Sequence, residues 1–133
     1  MHYLFASQSL GPQARLLAEI YEAVGTGDQL EAFRDVEDFT ERLRRHNGPD
    51  ILILLAANRE DLTRLSAGRA SFLQADVILL VPDHAADTIA TAHTLRPRYL
   101  GGTDCDLDKV VPVLKRLLQK RAQRLEVARG PAS

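Results

Sequence analysis

Apolar and polar positions follow two periods along the chain, and the switch from one to the other repeats five times. HYLFAS, residues 2–7, reads as a short first strand. Leu17, Ile20, Tyr21 and Val24 then recur at i, i+3, i+4 and i+7, the stripe of a first helix. Pro12 suits its first turn, and Gly25 and Gly27 end it. LEAF, residues 30–33, is a weak second strand. Asp35 is placed to cap a second helix that buries Val36, Phe39 and Leu43, and Asn47-Gly48-Pro49 stops it. DILILLAA, residues 50–57, is apolar almost throughout, as a parallel strand covered on both faces has to be. Asn58 and Asp61 form a capping pair for a third helix with Leu62, Leu65, Phe72 and Leu73 as its apolar residues, and Gly68 predicts a break in it. DVILLV, residues 76–81, is a second buried strand, closed by Pro82-Asp83. A fourth helix over 84–95, punctuated by Pro97, leads to a short fifth strand, RYLG, at 98–101. The last helix starts near Asp106 or Asp108 and carries Leu107, Val111, Leu114 and Leu118 on one face; Pro112 must fall in or near its first turn.

Strands alternating with helices imply right-handed crossovers and a parallel sheet covered on both faces. Five such units predict an α/β, three-layer (βα)5 flavodoxin-like, or CheY-like, fold with strand order 2-1-3-4-5. One domain over residues 1–127 is expected, with 128–133 a tail that has no reason to be ordered. Ligands of such folds sit at the carboxyl ends of the strands. The loops there are 7–11, 56–58, 82–83 and 101–104, and Ser7, Ser9, Asn58, Asp83 and Thr103 are the candidate pocket residues.

Composition narrows the picture. Aromatic residues make up 5% of the chain and tryptophan is absent, so the core has to be mainly aliphatic. Cys105 is the single cysteine, which excludes an intrachain disulfide and a cysteine-rich zinc site. The start MHYLFASQSL lacks the pattern of a signal peptide, and no apolar run approaches the roughly 18 residues of a membrane span. A cytoplasmic protein with no membrane span is the expectation. The net charge of -1 is unevenly placed: residues 109–133 hold seven Lys/Arg against one acid (+6), leaving ten basic and 17 acidic residues (-7) before them. A solvated basic helix face accounts for this, since cations are favoured near a helix C-terminus. Nucleic acid is not the expected partner, because that helix has no aromatic residue for stacking on bases.

Two longer stretches, LEAFRDVEDFTERLRRHNGPDILILL (30–55) and RYLGGTDCDLDKVVPVLKRLL (98–118), resemble receiver domains of bacterial two-component response regulators. The likeness spans roughly residues 2–121. A receiver accepts a phosphoryl group on an aspartate at the end of strand three, where this chain has Leu55 followed by Ala56. Acidic residues after strand one hold its Mg²⁺; here Ala6-Ser7-Gln8 offers no carboxylate. The Thr or Ser that ends strand four is replaced by Val81 or Pro82, and the Lys that ends strand five by Gly101 or Gly102, followed by Thr103. The resemblance therefore implies a pseudo-receiver: a non-catalytic, phosphorylation-independent interaction module in signal transduction, with no phosphoacceptor, resident metal or cofactor. By the same likeness its partners are proteins, a second copy included, met through helix four, strand five and helix five. His93, Arg96, Arg98, Tyr99 and Lys115 are the candidate interface residues there, Arg and Tyr being enriched at binding hot spots. The competing reading has the arginines paired locally with Asp87 or Asp104 and Tyr99 in half-buried packing.

Other motifs carry less. Ser7-Gln8-Ser9-Leu10-Gly11 precedes a helix and gives an alternative reading, a small flavodoxin-like phosphate or cofactor binder, against plain helix capping by the hydroxyls. Asp104-Cys105-Asp106-Leu107-Asp108 starts like a calcium loop but has Lys109 where the glycine is needed, so capping is expected. His2, His46, His84 and His93 show no metal-ligand spacing, and no nucleophile elbow, dinucleotide glycine motif or Walker loop is present. The aspartates beside Cys105 oppose its thiolate.

Overall fold

A strand apolar on both faces belongs where helices cover both sides of the sheet and neighbouring strands flank its edges. Accordingly β3 (Ile51–Leu55) and β4 (Asp76–Val81) lie inside the sheet with every residue buried. The structure, a computed structural model, describes residues 2–11, 13–25, 29–45, 50–72 and 74–129. Around those strands stand β1 (His2–Ala6), β2 (Leu30–Phe33) and β5 (Tyr99–Gly102), all parallel, in the order β2-β1-β3-β4-β5. The helices are α1 (Ala14–Val24), α2 (Val36–Arg45), α3 (Arg59–Ala67), α4 (Ala86–His93) and α5 (Val110–Arg129). Strand alternation sorts the core into two layers. Leu4, Ile51, Ile53, Leu55, Ile78 and Leu80 pack with α1 and α5, while Tyr3, Phe5, Leu52, Leu54, Val77, Leu79 and Val81 pack with α2, α3 and α4. This is the expected flavodoxin-like arrangement.

The local signals explain most boundaries. Asp35 accepts the Asp38 N–H at 3.3 Å, and α2 buries Val36, Phe39 and Leu43 as its period requires. Asn58 accepts the Asp61 N–H at 2.8 Å, and the Asp61 carboxylate reaches back to the Ala57 N–H at 3.4 Å. Gly68 ends α3, and a 3-10 turn over Arg69–Phe72 completes the segment. Pro112 is the third residue of α5, inside the first turn.

Four details differ from the sequence reading. Tyr21 is 44% exposed, because the α1 stripe centres on fully buried Ile20 and Tyr21 lies about 100° round the helix from it. The fourth helix begins at Ala86 rather than 84, since Asp83 takes the Ala85 N–H at 2.9 Å and holds that residue extended. A 3-10 turn over Leu107–Lys109 shifts the phase of the last helix, which buries Val110, Leu114 and Leu117 and leaves Leu107, Val111 and Leu118 half-buried. That helix continues to Arg129, beyond the expected boundary at 127. Pro12, Gly27, His46, Asn47-Gly48-Pro49, Leu73 and residues 130–133 lie outside the described residues.

Candidate functional site

The carboxyl end of the sheet is where this fold places chemistry. Here the strand ends are bonded to one another. Ser7 N–H donates to Leu55 C=O at 3.2 Å, Ala56 N–H to Leu80 C=O at 3.0 Å, and Thr103 N–H to Val81 C=O at 3.0 Å. Leu55 and Ala56 are both fully buried. Leu55, where the receiver resemblance would put an acceptor carboxylate, is thus an aliphatic side chain packed in the α1–α5 layer.

The five candidate pocket residues do reach this end; the side chains of Ser7, Asn58, Asp83 and Thr103 have partners within the chain, whereas Ser9 is exposed and donates only its backbone N–H. Ser7 is buried and its hydroxyl accepts the Ser9 N–H at 3.3 Å. The next two amides of that loop are also turned inward, Leu10 N–H onto Ser7 C=O and Gly11 N–H onto Gln8 C=O, each at 3.1 Å. Asn58 caps α3. The Thr103 hydroxyl donates to Val81 C=O at 3.4 Å. Asp83 accepts from Arg59 at 3.1 Å, and Arg59 also reaches Asp87 at 3.1 Å, tying α3 to α4. The Asp83 carboxyl is held down at about 2, first by the Thr88 hydroxyl beside it, then by the Ala85 N–H and Arg59. Of these, the Ala85 and Arg59 contacts have hydrogen-bond geometry, whereas the Thr88 hydroxyl closes no hydrogen bond. None of the five residues lines the nearby cavity of about 240 Å³, which Leu4, Ala6, Leu17, Phe33 and Leu55 make largely apolar, with Gln13 and Arg34 as its polar members.

Across the same end, the loops after β4 and β5 bring His84, Asp104 and Cys105 together, with donor atoms all within 4.8 Å. Among the described residues this is the single group of His, Cys and carboxylate side chains close enough to hold a metal ion, and all three members are exposed. Sequence spacing conceals it, because the two loops meet only through the β4–β5 pairing. Gly102 makes room for it: a Cβ there would lie 2.5 Å from Asp104 Oδ1 and 3.1 Å from His84 Nε2. The neighbouring Asp106 carboxylate accepts the Gly102 N–H at 2.8 Å and faces the Cys105 thiol at 3.4 Å. Asp106, then Asp104, pushes that thiol up to about 11. The thiolate is the reacting form, so alkylation of Cys105 should stay slow near neutral pH and rise towards a midpoint near pH 11. Asp106→Asn should bring that midpoint down, as read by mass spectrometry of iodoacetamide-treated protein over a pH series. An unchanged profile would mean that the carboxylate does not govern the thiol.

The candidate interface residues surround β5, an edge strand with α4 on one face and α5 on the other. His93, Arg96, Arg98 and Lys115 are exposed and Tyr99 is half-buried. The local pairing differs from the sequence reading: Asp87 goes to Arg59, and Arg98 instead binds Asp76 at 3.0 Å. Asp76 is at the head of β4, and Arg98 immediately precedes β5 at the same end of the sheet, its N–H on Val77 C=O, whereas Asp87 starts α4 at the other end. The sequence reading also placed Arg121 on a solvated helix face, yet it reaches Asp50 at 2.7 Å and Asp76 at 3.2 Å.

Taken with its closed sheet end, the chain is defined by its fold as a CheY-like α/β domain of the flavodoxin-like class. No protein-family model and no curated protein matches it. A solved structure from Burkholderia pseudomallei K96243, of a protein whose provisional name relates it to pilus assembly, has the same fold at a TM-score of 0.59. The two are 18% identical, and the match covers 88% of each chain. Among the described residues no helix is long and apolar enough to cross a membrane.

Proposed function

We propose that this chain is a non-catalytic, phosphorylation-independent, receiver-like module that works by protein–protein contact in bacterial signal transduction. The observation that carries the reading is Leu55, fully buried at the position of the acceptor aspartate, beneath strand ends hydrogen-bonded to each other. Phosphoryl transfer needs a carboxylate oxygen to attack and a divalent cation to neutralise charge. The side chains of Leu55, Ala56 and Ala6 offer no oxygen, and the Ser7 hydroxyl is engaged by Ser9. What the chain does present to a partner is the exposed set His93, Arg96, Arg98 and Lys115 with Tyr99, from α4, the edge of β5 and α5. A second copy meeting that face gives a homodimer without any activating signal. The Burkholderia protein's name suggests surface-appendage assembly as one setting, on the cytoplasmic side.

The second reading, a phosphate or cofactor site in the Ser7–Gly11 loop, loses support from the inward-turned amides of Ser9, Leu10 and Gly11. An anion at a helix start has to be held by free N–H groups.

Light scattering on the purified protein tests the proposal, with and without Mg²⁺ and BeF₃⁻. The expected result is one mass, that of a dimer, in all conditions, moving towards the monomer in Arg96→Glu/Tyr99→Ala. A mass that changes with BeF₃⁻, or a Mg²⁺ site of millimolar affinity or tighter near Ser7 and Leu55, would overturn it. A monomer in every condition removes the homodimer.

A further inference from the structure

The amino end of the sheet holds a second, differently made cavity of about 270 Å³. Five arginines line it: Arg69 from the turn after α3, Arg96 and Arg98 before β5, and Arg121 and Arg124 from α5. One carboxylate, Asp76, lines it with them. We propose that this cavity is a binding site for a compact phosphate-bearing anion, of the diphosphate class, independent of the carboxyl-end chemistry discussed above.

Three observations support it. The first is charge that the fold leaves uncompensated. Asp76 is 5% exposed and binds Arg98 and Arg121, which Asp50 also holds. Among the described residues Arg69, Arg96 and Arg124 form no ion pair, although five cations surround one lining carboxylate. The second is geometry. The two aspartates fix Arg98 and Arg121, so their guanidinium planes are set before a ligand arrives, and a planar fork of donors matches the paired oxygens of a phosphate. The third is backbone. Arg96 has φ of +51°, the single non-glycine residue with positive φ among the described residues. Glycine or asparagine adopts that conformation more readily; the chain has there an arginine that lines the cavity.

Cations also gather at helix C-termini to offset the backbone dipole, and Arg69 serves that end, donating to Ser66 C=O at 3.0 Å. The side chains of Arg96 and Arg124 donate to no carbonyl among the described residues, so direct bonding to a helix end does not account for them. The volume sits just below the usual range of roughly 300–1,000 Å³ for ligand pockets, which points to a small polyanion.

Calorimetric titration of the full chain with sodium pyrophosphate at about 150 mM salt, a level that screens loosely held surface charge, tests the proposal. The expected result is saturable one-to-one binding, with a raised melting temperature because the ligand binds the folded form. The Arg96→Ala/Arg124→Ala double variant should weaken binding by at least about tenfold, since charge-assisted hydrogen bonds are the strong ones. Because Arg96 also stands on the proposed homodimer face, Arg124→Ala alone, at a side chain with no partner among the described residues, is the variant that should keep the parent's melting temperature without ligand while binding pyrophosphate more weakly. Arg15→Ala, on the exposed side of α1, should bind as the parent does. Absence of saturable binding up to millimolar pyrophosphate overturns the proposal. So does an equal loss in the Arg15 variant, which would mean diffuse charge attraction. Tighter binding of a hexaglutamate peptide than of pyrophosphate also overturns it, making the cavity a contact for an acidic protein segment.

Discussion

Truncating Phe39 to alanine should cost about 3–5 kcal/mol of unfolding free energy, the usual loss for a buried phenylalanine. Phe39 is fully buried, and its ring lies 5.8 Å from Phe5, 5.7 Å from Phe33 and 6.1 Å from Phe72. Those four are all the phenylalanines of the chain, and there is no tryptophan. They join β1, β2, α2 and the turn after α3, so one ring holds four elements together, whereas the buried side chains of the α1–α5 layer are all aliphatic. Tilted aromatic pairs add to the burial of area, so the upper part of the range is expected. Against a typical domain stability of about 5–15 kcal/mol, the variant would lose a large share. Urea unfolding followed by circular dichroism measures it: the midpoint falls and the slope holds, because the folded surface is unchanged. A loss below about 1 kcal/mol, which cavity formation at a rigid site does not allow, would mean that α2 is not docked as described.

How much of this was legible in the sequence follows from which interactions are local. The patterns of β2, β4 and α2 reproduce the observed elements, because a short apolar run, a cap and a buried stripe are encoded within a few residues. The phase of α5 was not legible: three residues of 3-10 turn before Val110 rotate the stripe, and nothing in the leucine spacing announces that turn. The candidate pocket residues were placed at the right end of the sheet, yet the side chains of Ser7, Asn58 and Thr103 bond to the backbone and that of Asp83 to the backbone and to Arg59. Position in the chain gives the loop, and only packing gives the direction of a side chain. The arginine cavity was hidden for the same reason. Asp50 and Arg121 are 71 residues apart and Asp76 and Arg121 are 45 apart, so only the folded sheet brings them together. A partial signal existed in the pairing of Asp50 and Asp76, each heading an apolar strand, since an acid at the start of a buried strand needs a cation from elsewhere.

Placing a carboxylate at position 55 should fail in an informative way. Leu55→Asp removes a fully buried aliphatic side chain and puts an ionisable one in its place. Loss of the leucine alone costs about 2–5 kcal/mol, and an unpaired carboxylate among Leu4, Ile53 and Leu80 adds to it. A total above about 4 kcal/mol at neutral pH is expected. Burial raises the folded-state pKa of the new carboxyl. The ionised form therefore bears the added penalty, which is largest above that raised pKa and shrinks as pH falls towards the unfolded value of about 3.9. Unfolding midpoints of parent and variant should accordingly converge from pH 7 towards pH 4.5. Isothermal titration of the variant with Mg²⁺ and BeF₃⁻ should give no binding, because Ala6, Ser7 and Gln8 supply no carboxylate to hold the cation. A variant as stable as the parent that takes up both would place the chain one substitution from a working phosphoacceptor. The packed Leu55 end would then be a recent loss, and the pseudo-receiver reading would have to rest on the β5 face alone.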